Sequence, residues 1–404
     1  GLLAAKQREL AGRAAAVTYE RITFRRGAVS AARFAPDGKA VYYTATWDGE
    51  PLQQYETEPG SVASRSLGIP QSHLLSISKA GMVALSLGSD QFIWLGMARV
   101  GALAELPIAG GAPHRLLEKV RAADWSPDGK TLAVARPVGG RDELQMPPGH
   151  TIYRSAGWIT HVRVAPSGGW LAFQEHTSPP NIRGNVVIVD TRGKVLARSP
   201  EWRTLMGLAW SASGGDVWYS APAAKGAWEY DLRAMSPDGR DRVVQCFPGM
   251  IALYDIARDG RVLLARSQTQ VGIRGRRASA DAEIELGWQD YPYIGDISPD
   301  GRTLLFSETG AGGGRFYSTY LRDMGGSPPV RIGEGSAESL SPDGKRVLTI
   351  HIAAPHRLVV LPVGVGDSTS LPRGGMEKYA AAKWLPDGKG VVFFGAGAGI
   401  PWRT

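Results

Sequence analysis

One phrase recurs along this chain and limits what it can fold into. Asp124-Trp125-Ser126-Pro127-Asp128-Gly129-Lys130-Thr131-Leu132-Ala133-Val134 reads as strand, tight turn, strand. Asp296-Ile297-Ser298-Pro299-Asp300-Gly301-Arg302-Thr303-Leu304-Leu305-Phe306 is nearly a copy, as are Ser339 to Leu348 and Phe34 to Lys39. Proline presets the φ of a turn, aspartate bonds back to the local backbone, and glycine tolerates positive φ. An apolar residue precedes each turn and a short apolar run follows, such as Leu171-Ala172-Phe173 or Val391-Val392-Phe393-Phe394. Such runs fit strands buried on both faces.

The turn glycines Gly38, Gly81, Gly129, Gly168, Gly214, Gly260, Gly301, Gly344 and Gly388 stand 39 to 48 residues apart, about 44 on average. A second hairpin follows within most units: Ala102 to Leu117, Val186 to Ala197, Tyr230 to Val244 and Tyr317 to Ile332. Four strands per unit at this period predict an all-β fold, a β-propeller of four-stranded blades. Dense Gly and Pro punctuation leaves no room for a long helix, which disfavours a solenoid of β-α units. The units run at about 28–70, 71–117, 118–156, 157–201, 202–246, 247–288, 289–332, 333–376 and 377–404, the last cut short. Nine units exceed the 4–8 blades usual for one ring. Three arrangements fit: a complete six- or seven-bladed ring followed by a truncated second, one large ring, or an eight-bladed ring with one unit miscounted. The first is preferred, with blades 1–6 over 18–288 and further blades over 289–404. Residues 18–24 alternate like a strand that completes the last blade. Residues 140–157 and 273–287 read as loop-bearing insertions.

With 43% hydrophobic and 21% charged residues the composition is that of a globular domain. The net charge is +8, but the basic residues are spread along the chain, with one cluster at Arg274-Gly275-Arg276-Arg277. Nucleic-acid binding needs a basic stripe with interleaved aromatics, so no nucleic-acid partner is expected. The single cysteine, Cys246, cannot form an internal disulfide and is expected to be a small buried hydrophobe. No span approaches the roughly 18 apolar residues that cross a membrane. Residues 1–17 suit a helical connector beside a membrane tether upstream of residue 1.

No catalytic motif emerges. There is no Gly-x-Ser-x-Gly elbow, no phosphate loop, no kinase signature and no His-Glu-x-x-His. The seven histidines show no metal-ligand spacing. No catalytic residue, metal or cofactor is therefore expected. One set of residues invites a ligand. The innermost strands carry a polar residue just before the large apolar position: Arg33, Asp124, Arg163, Asp255, Asp296 and Lys383, with His161 two residues before Arg163. In a ring these line the channel mouth and bind a peptide or small polar ligand, or else they are solvated or paired between neighbouring blades.

Trp125-Ser126-Pro127-Asp128-Gly129-Lys130 and its copies resemble the WD40-like (PD40) repeats of TolB-type bacterial propellers, from residue 28 onward. Arg21 to Gly27, Ala32 to Gly38, Tyr43 to Gly49, Arg65 to Gly68, Ala156 to Ile159 and Arg331 to Ser336 look like the propeller regions of bacterial membrane-anchored serine/threonine protein kinases. That resemblance implies an extracytoplasmic sensor domain, on the periplasmic side of an inner membrane, that binds a protein, peptide or envelope component. Every kinase motif is absent here, so no catalytic residue carries over. The alternatives are the gating propeller of a prolyl-oligopeptidase-type peptidase without its hydrolase domain, and a free-standing periplasmic TolB-like propeller. The same repeats also follow winged-helix DNA-binding domains.

Overall fold

The computed structural model describes residues 17–404 apart from 89–90, 93–96, 99, 178–182, 224–228, 268–270, 277–281, 311–312, 315, 354, 398–399 and 404. The expected connector over residues 1–17 therefore lies almost wholly outside the described residues. No α-helix occurs among the described residues, and no helix there is long and apolar enough to cross a membrane.

The repeated turn builds itself from its own side chains. Ser126 Oγ donates to Asp128 Oδ1 at 2.5 Å, and Asp128 Oδ1 also accepts the Lys130 amide at 3.1 Å. Ser126 Oγ accepts the Thr131 amide at 3.1 Å, and the Gly129 amide returns to the Ser126 carbonyl with φ +70°. Ser298 with Asp300 and Ser341 with Asp343 repeat the arrangement. Each phrase thus closes one hairpin of a sheet.

The chain divides into two compact units, one ending at Ser267 and one starting at Gln268. Among the described residues the first holds six larger antiparallel sheets and one short two-stranded hairpin, Gln91–Phe92 with Met97–Ala98. The first sheet is Gly27–Phe34, Val41–Trp47, Gln53–Thr57 and Arg65–Ser66. The second runs outward from Ser72–Ile77 through Met82–Leu87 and Gly101–Pro107 to His114–Val120. The third is Ala122–Trp125, Leu132–Val138, Arg141–Gln145 and Thr151–Arg154. The fourth is Trp158–Val164, Trp170–His176, Gly184–Asp190 and Val195–Arg198. The fifth is Leu208–Trp210, Val217–Pro222, Tyr230–Met235 and Asp241–Phe247. The sixth pairs Met250–Ile256 with Val262–Ser267. The inner strands touch in cyclic order, and Met250–Ile256 comes back against Gly27–Phe34. Radial four-stranded sheets whose inner strands meet in a closed cycle are the geometry of a β-propeller.

Because each sheet has a neighbour on both faces, its second strand carries consecutive apolar residues rather than an alternation. Leu171, Ala172 and Phe173 are all fully buried, the even and odd residues in different inter-sheet layers. Each such large side chain contributes about 1.5–3 kcal/mol. Tyr43, Trp47 and Tyr55 of the first sheet share a layer with Leu253 of the sixth.

The second unit holds a seventh sheet (Pro292–Ile297, Thr303–Glu308, Ser318–Asp323, Val330–Glu334), an eighth (Ser336–Leu340, Arg346–His351, Arg357–Pro362, Thr369–Ser370) and a three-stranded ninth (Met376–Trp384, Val391–Gly397, Ile400–Arg403). Ile273 and Leu286, which the periodicity assigned to the sixth repeat, pack on Leu304, Phe306 and Tyr320 of the seventh sheet.

Three local expectations are corrected. Residues 140–157 are no insertion: they form the outer hairpin of the third sheet, with its turn at Pro147 to His150. Residues 18–24 join no sheet. They run alongside the ring seam, with Tyr19 edge-on to Phe247 and Ile22 against the layer around Tyr43 and Leu253. Cys246 is exposed, on the outermost strand of the fifth sheet, where an outer strand has no further neighbour.

Two glycines that look alike in sequence differ in consequence. Gly129 has φ +70°, and a Cβ there would meet only Ser78, at 3.6 Å. Gly207 has φ +78° and bridges the fifth sheet to Leu253 of the sixth, and a Cβ there would lie 1.8 Å from the Leu253 carbonyl oxygen. Gly129→Ala is expected to cost about 1–2 kcal/mol from the left-handed backbone alone. Gly207→Ala adds overpacking and should cost roughly 3–5 kcal/mol. Urea unfolding of both variants checks this, and equal costs would contradict the close approach of the fifth and sixth sheets at Gly207.

Candidate functional site

The penultimate residue of every inner strand occupies one structural position. Around the first unit it is Arg33, Ser76, Asp124, Arg163, Ala209 and Asp255. Where it is an acceptor, it binds the amide that ends the next inner strand. Asp124 Oδ2 accepts the Val164 amide at 2.8 Å, and Asp255 Oδ2 accepts the Phe34 amide at 2.9 Å. Ser76 Oγ accepts the Trp125 amide at 3.3 Å and donates to Asp124 Oδ1. Asp255 Oδ1 takes the Ile256 amide at 3.0 Å. Each of the two carboxylates is thus turned with both oxygens into the wall. Burial nevertheless pushes the Asp255 carboxyl up, opposed by Arg33 and Arg163.

Arginine can only donate, so Arg33 works differently. Its Nη1 donates to the Tyr254 carbonyl at 3.0 Å and the Ala32 carbonyl at 2.5 Å, and its Nη2 to the Leu75 carbonyl at 2.7 Å. These acceptors are available because the inner strands are bulged. Register slips leave Ser30, Leu75, Tyr254 and the pair His161–Val162 out of step with the second strands. A bulge leaves an extra residue unpaired and re-aims its side chain. His161 carries the strain openly, with φ +53° on a non-glycine residue. The sequence shows polar residues at the penultimate positions but carries no mark of the bulges, so Ser30, Leu75 and Tyr254 escape a reading of side-chain type.

Together these residues surround a small, partly open axial cavity. Arg33, Arg163, His73, His161, Arg121 and Tyr254 line it, with Thr160, Ser30 and small apolar residues between them. Of the residues singled out from the sequence, Arg33, His161 and Arg163 face this cavity, and Asp124 and Asp255 stand in its wall. Asp296 and Lys383 belong to the second unit. There Asp296 Oδ2 accepts the Leu340 amide at 3.0 Å, and Lys383 Nζ lies 3.5 Å from Asp296 Oδ2 and donates to the Glu338 carbonyl at 2.8 Å.

The cavity lining is rich in basic groups. Burial, and then the Arg163 charge, lower Arg33 to about 9. Burial lowers His73 to about 4 and His161 well below its usual value, so both rings are neutral at physiological pH. His73 is 5% exposed and neither ring nitrogen finds a partner of good hydrogen-bond geometry, although the Ser30 backbone is close enough to oppose the shift. Arg163 gives Nη1 to the Val162 carbonyl at 2.9 Å, and its buried Nε has no partner. Arg121 is committed to Asp142 at 2.7 Å. Among the described residues no group of three or more His, Cys, Asp or Glu side chains could hold a metal ion.

No family model matches this sequence, and no curated protein does. Solved structures with similar architecture include an oligogalacturonate lyase in complex with manganese, at 12% identity and TM-score 0.39, covering 84% of this chain and 90% of that one. TolB from Acinetobacter baumannii is similar at 15% identity and TM-score 0.31, covering 85% and 80%. The tricorn protease is similar at 12% identity and TM-score 0.43, covering 92% of this chain and 38% of that one.

His73 in the first unit and Glu338 in the second should make pH-dependent contributions of opposite sign. His73 is lowered from 6.5 to about 4, so the unfolded chain binds its proton first and stability of the first unit falls as pH drops from 6.5 towards 4. Glu338, the bulge residue of the eighth sheet, is raised from 4.5 to about 7 by burial. The folded chain holds that proton longer, so stability of the second unit falls as pH rises from 4.5 to 7. In thermal melts, His73→Leu should flatten the acid-side loss. The advantage of Glu338→Gln over the parent should grow with rising pH. A Glu338→Gln advantage that is largest at pH 4.5 would contradict this assignment.

Proposed function

We propose that this chain is a non-catalytic β-propeller interaction module that takes a protein, peptide or envelope ligand at the axial mouth of its first unit. The observation that carries this reading is the axial cavity itself. Its lining includes buried polar groups, His73 and the Nε atoms of Arg33 and Arg163, that find no partner of good hydrogen-bond geometry. Leaving such groups unpaired costs about 1–3 kcal/mol each, a cost a bound ligand relieves. Side chains that are pinned from both neighbouring sheets, as Arg33 is, lose little further freedom on binding.

We further propose that the module is the extracytoplasmic part of a bacterial receptor-type serine/threonine kinase. The support is the resemblance of Arg21 to Gly27, Tyr43 to Gly49 and Arg331 to Ser336 to that family's propeller regions. In intact spheroplasts of the source cell, protease added outside should cleave the propeller from a membrane-bound remnant that retains kinase activity. A propeller protected until the membrane is lysed would contradict the extracytoplasmic assignment. A coding sequence with no kinase domain and no apolar helix of about 20 residues before this chain would remove the kinase reading.

A further inference from the structure

We propose that the axial cavity is an oxyanion site: it receives a carboxylate or phosphate group of the ligand against the open fork of Arg163, with Arg33 and His73 as neighbouring donors. This rests on the reading of the mouth as the ligand site and adds the chemistry of the group that enters.

The argument begins with an asymmetry. The lining contains three arginines and two histidines and no carboxylate. The two acids closest to it, Asp124 and Asp255, spend their oxygens on backbone amides and a serine hydroxyl of the wall. Their negative charge offsets the arginines at a distance, but it offers no acceptor inside the cavity. The donors are left facing one another. Arg163 lowers the Arg33 pKa through its charge, so the two cations are close enough to repel across the axis.

The donors are not equally free. Arg121 is held by Asp142 and lies over Trp158, 5.2 Å from the ring centroid. Arg33 has both Nη atoms on carbonyls. Arg163 keeps Nε unpaired and commits only Nη1 among the described residues, which leaves an edge of the guanidinium fork for an incoming pair of oxygens. Arginine binds carboxylate and phosphate through two parallel N–H···O bonds, and such bonds are about twice as strong as neutral ones. His73 is neutral and so carries one ring N–H and one lone pair, and that N–H is a second donor with no partner of better geometry than the nearby Ser30 backbone. Buried groups such as these admit an anion only because they supply charge and donors together. A neutral peptide group would satisfy the donors in part and leave the repulsion between the arginines in place.

The test uses the full chain in isothermal titration calorimetry with three probes: inorganic phosphate, N-acetyl-trialanine with a free C-terminal carboxylate, and the same peptide amidated at its C-terminus. Phosphate or the free acid should bind, with the amide at least tenfold weaker. Arg163→Met should weaken the binding probe at least tenfold, and Arg163→Lys should recover part of it. Both variants should keep the parent's circular dichroism and melt no lower than the parent, because Arg163, unlike Arg33, ties no two sheets together by its guanidinium. Binding of phosphate alone would identify a phosphorylated ligand, and binding of the acid alone a carboxylate end; either supports the site. Equal binding of acid and amide that Arg163→Met weakens would overturn the oxyanion inference and leave the mouth as the ligand site. Binding of the probes that Arg163→Met leaves unchanged would overturn both. No binding of any probe at millimolar concentration would overturn the oxyanion inference alone.

Discussion

A propeller stands or falls on the contact between its first and last sheets, because every other contact joins neighbours in sequence. Here the closing contact is polar, buried at Arg33 and reaching the surface at Arg261. The Asp255 carboxylate accepts the Phe34 amide, Arg33 donates to the Tyr254 carbonyl, the Tyr254 hydroxyl donates to the Val29 carbonyl at 2.6 Å, and Arg261 donates to the Gly38 carbonyl at 2.6 Å. Each bond joins residues more than 220 positions apart in sequence. Hydrophobic burial supplies the bulk of the energy at this seam, through Tyr43, Trp47, Tyr55 and Leu253. The directional bonds supply register: a slip of one residue would strand a buried charge, which is far costlier than an imperfect apolar contact.

The same residues make the candidate site. A structure that closes by donating an arginine to bulge carbonyls and presenting carboxylates to backbone amides leaves its cations inward and its anions in the wall. Function and fold therefore draw on one set of side chains. Arg33 ties three sheets and lines the cavity, whereas Arg163 lines the cavity with fewer structural duties. That difference separates a variant that unfolds the protein from one that alters binding.

The architecture was largely legible in the sequence, because the turn phrase acts locally. Ser126, Asp128 and Gly129 bond to one another and to the next two amides, so residue type and spacing suffice to locate the hairpin. What joins sheet to sheet was less legible. Arg33, His161 and Arg163 could be placed at the inner strands by their position before an apolar residue, yet nothing in the sequence separates Asp255, which closes the first unit, from Asp296 in the second. Bulges at Ser30, Leu75 and Tyr254 depend on how the first strand fits the second, which is a tertiary matter. The same holds for His73, whose significance lies in what fails to reach it. Residues 140–157 misled because Pro147, Pro148 and Gly149 suggested a loop, and the flanking strands Arg141–Gln145 and Thr151–Arg154 are polar where they edge the sheet.

The closing of the first unit by its sixth sheet is the claim on which the cavity depends. It is tested most directly by the distance between Lys39 and Arg258, which are exposed on the turns that flank the Arg261 to Gly38 contact. Spin labels would be placed on cysteines at these two positions in a Cys246→Ser background, and their separation measured by double electron–electron resonance. A closed ring predicts a single short, narrow distance that lengthens and broadens on addition of urea. A broad, long distribution in native buffer would contradict the closed ring and remove the axial cavity with it.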